Sequence, residues 1–114
     1  MASGKIVNRT IENTTLYDWT IGIKVSRFGN ICMLKSRFVT VKNNIAANAQ
    51  TILGTLDTIY NPSVNEYQGI LLTNDNGIQL GTAYLFIENG VVKINPSVNI
   101  NANTFVFFTM IYMI

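Results

Sequence analysis

A chain of 114 residues has room for one hydrophobic core and not for two. Only 12% of the residues are charged while 48% are hydrophobic; that is about half the usual charge of a soluble domain, so part of the surface is expected to be covered in an assembly. The eight Lys and Arg are scattered and the net charge is only +2, which excludes the clustered basic surface of a dedicated nucleic-acid binder.

The reactive inventory is thin. No His is present, so the commonest general base and metal ligand is missing and no Ser–His or Cys–His nucleophile can form. Cys32 is the single cysteine; it can build neither an intramolecular disulfide nor a cysteine metal cage, and the run "ICMLK" reads as a small buried residue. The six acids, Glu12, Asp18, Asp57, Glu66, Asp75 and Glu88, show no spacing that marks a glycosidase carboxylate pair. The glycines are dispersed and form no phosphate-cradling loop. No enzyme activity, metal or cofactor is expected. The start "MASGK" lacks the apolar run of a secretory signal, and no run reaches the ~20 apolar residues of a membrane helix.

In chain order, residues 1–15 are expected to form a start segment and linker or a loose first strand, with Ile6 and Ile11 as apolar points. Residues 16–114 are expected to form one domain. "WTIGIKVSRF", 19–28, alternates with Trp19, Ile21, Ile23 and Val25 on one face. Gly29-Asn30 then predicts a two-residue hairpin turn into "ICMLKSRFVTV", 31–41. "KNNIAANAQ", 42–50, reads as a polar loop with one helical turn at most. "TILGTL", 51–56, predicts a short strand, and "DTIYNPSVNEY" a loop broken by Pro62. "QGILLT", 68–73, is the next strand, closed by a turn at "NDNG". "IQLGTAYLFI", 78–87, is expected to pair across Glu88-Asn89-Gly90 with "VVKI", 91–94. An Asn-rich loop leads to the terminal strand, 104–114. About seven or eight short strands with turn chemistry between them predict an all-β, antiparallel, jelly-roll-like sandwich.

That last strand, "TFVFFTMIYMI", is apolar on both alternating sets. One face belongs to the domain's own core, and the other needs a second partner. At ~3.3 Å per residue it spans about 36 Å, enough to line a symmetry axis shared by identical copies. Phe105, Phe107, Phe108, Met110, Ile111 and Tyr112 are the residues expected to form the core and that axis.

The strand series, the loop "LGTLDTIYNPS", the segment "GTAYLFIENGVVKI" and the terminal "FVFFTMIY" resemble the C-terminal head modules of tail-fibre and baseplate proteins from phages of Gram-positive bacteria. The resemblance covers residues 16–114. It implies a tumour-necrosis-factor-like jelly roll, a homotrimer with the last strand near the three-fold axis, and a place on the virion tail or baseplate. It also implies a non-enzymatic role: binding of a host cell-wall saccharide, often between subunits, or docking of other baseplate proteins. A receptor-binding ligand of the tumour-necrosis-factor-like type is a third reading, and the missing disulfides and signal weigh against it.

No motif carries a sugar site across from that group, so the candidates come from chemistry. Saccharide binding needs an aromatic face for the ring and polar groups for its hydroxyls. "YDW" supplies Tyr17, Asp18 and Trp19; "YNPSVNEY" supplies Tyr60, Glu66 and Tyr67; Arg27 offers a cation near a strand end.

Overall fold

The computed structural model describes residues 7–11, 17–41 and 44–114, with side chains described for residues 23–36 and 44–114. Among the described residues eight strands follow in order: β1 (Val7–Ile11), β2 (Tyr17–Phe28), β3 (Ile31–Val41), β4 (Thr51–Thr55), β5 (Glu66–Thr73), β6 (Gln79–Glu88), β7 (Val91–Pro96) and β8 (Phe105–Met113). A 3₁₀ turn, Thr58–Tyr60, interrupts the loop between β4 and β5. All pairings are antiparallel, and the sheet order is β1-β2-β3-β8-β5-β6-β7-β4. The pairs nest: β3 with β8, β4 with β7, β5 with β6. Such nesting winds a long double ribbon into a jelly-roll-like sandwich, and β4 to β7 on their own make a Greek key. β1 and β4, the two ends of the sheet, come into contact, so the sheet curls back on itself and leaves less open edge.

Local chemistry sets the turns. The β2–β3 hairpin turns on Gly29-Asn30 with Gly29 at φ +62°, as the sequence predicts. The β6–β7 turn is tighter than expected: Glu88 stays in the ladder opposite Val91, and only Asn89 and Gly90 turn, both at positive φ. At Gly90 the requirement is double. Its φ is +80°, and an added Cβ would lie 2.9 Å from Asn61 Oδ1. Gly90→Ala is therefore expected to cost about 1–3 kcal/mol, seen as a lower urea midpoint with an unchanged slope. In the β5–β6 turn, Asn74 Oδ1 accepts from the backbone N–H of Asn76 (2.9 Å) and Ile78 (3.0 Å), the usual Asx device.

The core lies between the two halves of the curled sheet. From β2, β3 and β8 come Ile23, Val25, Leu34, Phe108 and Met110; from β5 to β7 come Leu72, Leu85, Ile87, Val92 and Ile94. Residues 44–50 close one end, through the isolated bridge Ile45↔Ile100 and without a helix.

β8 sits inside the sheet, between β3 and β5, yet the chain covers only one of its two apolar faces. Its even residues, Val106, Phe108, Met110 and Tyr112, face the core; its odd residues, Phe105, Phe107, Thr109, Ile111 and Met113, face outward to varying degrees. This corrects the expectation for half of the six axis candidates: Phe108, Met110 and Tyr112 are already covered by the chain itself, Met110 completely. Phe105, Phe107 and Ile111 remain on the outer side. There Met33 stands opposite Ile111, and Ile31 opposite both Met113 and Phe28. All five of these side chains are exposed, a continuous apolar patch on the outer face of β2, β3 and β8.

The two halves of the sheet are joined loosely. β5 and β8 pair at Thr73↔Phe107, and further along Gln68 Nε2 donates to the Ile111 carbonyl at 2.5 Å. Between these ties the strands part around a cleft of about 610 Å³.

Candidate saccharide-binding face

Period-two alternation puts Leu85 and Ile87 of β6 in the core and sends Tyr84, Phe86 and Glu88 outward. The register then assembles an outer face from three strands. Tyr67 of β5 stands opposite Phe86, which stands opposite Lys93 of β7; Gly69 stands opposite Tyr84, which stands opposite Asn95. Tyr67 meets Phe86 edge-on with ring centroids 5.5 Å apart, and Tyr84 lies nearly parallel to Phe86 at 6.3 Å. Phe86 is half-buried, while Tyr67 and Tyr84 are 57% and 59% exposed. Two large aromatic rings on the water side of a strand pair are costly to leave bare and suit a ligand.

Polar groups fix the rim. Tyr67 Oη donates to Glu88 Oε2 at 3.1 Å, and Lys93 Nζ donates to Glu88 Oε1 at 3.2 Å. Both side chains of the ion pair are half-buried at the rim and still reach water, so the pair adds about 0–1 kcal/mol and its main effect is to hold the Tyr67 hydroxyl in place.

Beside Tyr84 lies a cleft of about 430 Å³ whose polar walls are Asn48, Thr82, Asn95 and Ser97. Its frame is braced: the Ser97 N–H donates to the Thr82 carbonyl (2.8 Å), the Thr82 N–H and Oγ1 both donate to Ser97 Oγ (3.2 Å each), and the Asn48 N–H donates to the Pro96 carbonyl (2.8 Å). An aromatic face next to amides and hydroxyls on a rigid frame can stack the apolar side of a sugar ring and hydrogen-bond its hydroxyls. No cluster of His, Cys, Asp and Glu able to hold a metal is present among the described residues.

The residues singled out from sequence fall in several places. Tyr67 stands on this face. Glu66 precedes it, half-buried on the other side of β5. Tyr60 is corrected: it is 1% exposed, packed into the core beneath the 3₁₀ turn, and so is closed to a ligand. Arg27 is spent on structure, its Nε donating to the Gly29 carbonyl at 2.7 Å and its Nη1 to the Ile59 carbonyl at 2.5 Å, which braces the β2–β3 hairpin against the 3₁₀ turn. The side chains of Tyr17, Asp18 and Trp19 lie outside the described residues; their backbone belongs to β2, which β3 and β8 separate from β5. Sequence reasoning missed Tyr84, Phe86, Asn95 and Ser97. The signal was the Tyr84-Leu85-Phe86-Ile87-Glu88 alternation, with two aromatics on the polar phase.

A second polar cluster is structural. Tyr112 Oη donates to the Tyr60 carbonyl at 2.7 Å inside the core, and the Cys32 thiol lies beside that hydroxyl, across the β3–β8 ladder. Tyr112→Phe is expected to cost about 1–3 kcal/mol, because the buried carbonyl loses its donor; thermal unfolding checks it. Burial pushes both groups up, the Cys32 thiol from its ordinary 9.0 and the Tyr112 hydroxyl from its ordinary 10.0, with Glu66 adding to the rise at Tyr112 and Arg27 opposing it at Cys32. Both therefore hold their protons in the fold at pH values where the unfolded chain has released them. The unfolded state binds fewer protons there, so stability falls as pH rises through about 9 for Cys32 and through about 10 for Tyr112, by up to about 1.4 kcal/mol per pH unit for each group. Denaturant titrations from pH 7 to 11 measure that slope.

No protein-family model matches the chain, and no curated protein matches it in sequence. Among solved structures, the head domain of lactococcal phage bIL170 superposes with a TM-score of 0.72 over 96% of this chain and 99% of that chain, at 10% sequence identity. That structure belongs to work on the receptor-binding domains of lactococcal phages. The all-β fold of this chain is thus similar, over nearly its whole length, to that of a lactococcal phage head domain.

Proposed function

We propose that the chain is a non-enzymatic receptor-binding head of a phage tail, recognising a host cell-surface saccharide on the outer face of β5, β6 and β7. The observation that carries this reading is the exposed Tyr84 ring beside the amide- and hydroxyl-lined cleft, on a fold similar to that of a phage head domain. The head acts as a homotrimer. Its contact is the end of the outer face of β2, β3 and β8 where Phe28, Ile31, Met33, Ile111 and Met113 gather, which leaves the cleft at Lys35, Phe107 and Thr109 outside it. Three weak sites on one rigid head raise effective affinity by about 10²–10⁴ with no new contact.

The same apolar face also suits a baseplate adaptor that docks another viral protein, and one experiment separates the readings. The purified chain is titrated with wall polysaccharide from lactococcal cells, followed by calorimetry. Saturable binding is expected of the receptor-binding head. Absence of binding, with stable capture of a baseplate protein instead, favours the adaptor.

A further inference from the structure

We infer that the site is a groove for a saccharide chain and not a pocket for one sugar, and that Gly69 keeps the groove open where it crosses β5. The inference rests on the saccharide reading above and names the class of ligand more closely.

The two clefts have been described apart, but Gly69 and Ile70 line both of them. One cleft opens toward β7 and holds Tyr84, Asn95 and Ser97. The other opens toward β8 and holds Lys35, Gln68, Thr73, Phe107 and Thr109. Each offers the same mixture, an aromatic side chain among hydroxyl and amide or amine groups. From β7 to β8 is three strand spacings, roughly 14 Å at ~4.8 Å each, which is longer than a single hexose ring.

Gly69 is the saddle between them. On its face of β5 the flanking residues, Tyr67 and Leu71, both carry exposed side chains. A ridge would run along the strand if position 69 had a side chain too. Nothing in the fold demands glycine there: its φ is not positive, and an added Cβ would meet only Tyr84 Cε1, at an ordinary 3.8 Å. Glycine inside a strand is moreover a liability, by about 0.5–1 kcal/mol relative to Ala. A residue that neither backbone nor packing requires, at the one point where two clefts meet, is accounted for by the passage it leaves.

The test uses lactococcal wall polysaccharide cleaved by mild acid and separated by length, with binding of each fraction measured by calorimetry to the trimeric wild type and to Gly69→Val. The wild type is expected to bind longer fractions on the order of tenfold more tightly than the shortest. Gly69→Val, β-branched and suited to a strand, is expected to keep its circular-dichroism spectrum while losing the gain in affinity with length. If Val disturbs the fold, Gly69→Ala repeats the test with a smaller ridge. Equal affinity for all lengths, or a length gain that survives in a folded Gly69 variant, overturns the groove and leaves the saccharide reading standing. No binding by any fraction overturns both.

Discussion

Replacing Met33 and Ile111 together by Asp is expected to turn the proposed trimer into a folded monomer. The two side chains stand opposite each other across β3 and β8 on the outer face, with Ile111 56% exposed. In a lone subunit the new carboxylates reach water, and the cost is limited to the weaker strand preference of Asp, within about 1 kcal/mol per site. In the assembly each copy buries two unpaired charges, at several kcal/mol apiece, more than such a contact can absorb. Light scattering should show the mass drop from about three times 12.7 kDa to a single copy, with the circular-dichroism spectrum retained. Met110→Asp, one residue along the strand, is the contrasting case. Met110 is wholly buried, so the change combines the loss of a core side chain, about 2–5 kcal/mol, with an unpaired buried carboxylate. Against a total stability of about 6–17 kcal/mol for a chain this long, that variant is expected not to fold. A double outer-face variant that remains trimeric would move the subunit contact to another surface.

Tyr84→Ala is expected to abolish the wall-polysaccharide binding proposed for the trimeric head. Stacking on an exposed ring that a ligand then covers contributes about 2 kcal/mol, roughly a thirtyfold loss at one site. Multivalent attachment compounds the loss over three sites. The fold should be untouched, because the ring is on the surface and its neighbour Gly69 needs no support from it. Tyr67→Ala should weaken binding less, since Tyr67 supports Phe86 and Glu88 at the edge of the face. Wild-type affinity in a well-folded Tyr84→Ala variant would remove this face from consideration.

How much could be read beforehand follows from how local each feature is. The hairpins at Gly29-Asn30 and Glu88-Asn89-Gly90 were legible because the positive φ of Gly29, Asn89 and Gly90 is a demand of one or two residues, although Glu88 proved to stay in the ladder. That β8 gives one of its faces to the core was legible from its apolarity on both phases, whereas its place between β3 and β5 was not. Which phase faces the core was not: Val106, Phe108, Met110 and Tyr112 are no more apolar than Phe105, Phe107, Ile111 and Met113, and the choice depends on the side taken by the other half of the sheet. Tyr60 misled for the same reason. A tyrosine before Asn61-Pro62 suggests an exposed loop, yet it is held inward by Tyr112, a residue 52 positions away. Arg27 looked available because its acceptors, the carbonyls of Gly29 and Ile59, are backbone atoms that carry no sequence signature. The face around Tyr84 needs three strands in register, although the Tyr84–Phe86 alternation marked its centre.

The central claim is tested most directly by chemical-shift mapping on the isotope-labelled chain during titration with lactococcal wall polysaccharide. Saturable shifts are expected at the amides of Gly69, Thr82, Tyr84, Asn95 and Ser97, with the buried strand residues Leu34 and Leu85 little changed. Saturable shifts confined to other surfaces, or none at all, would contradict the assignment of this face as the receptor site.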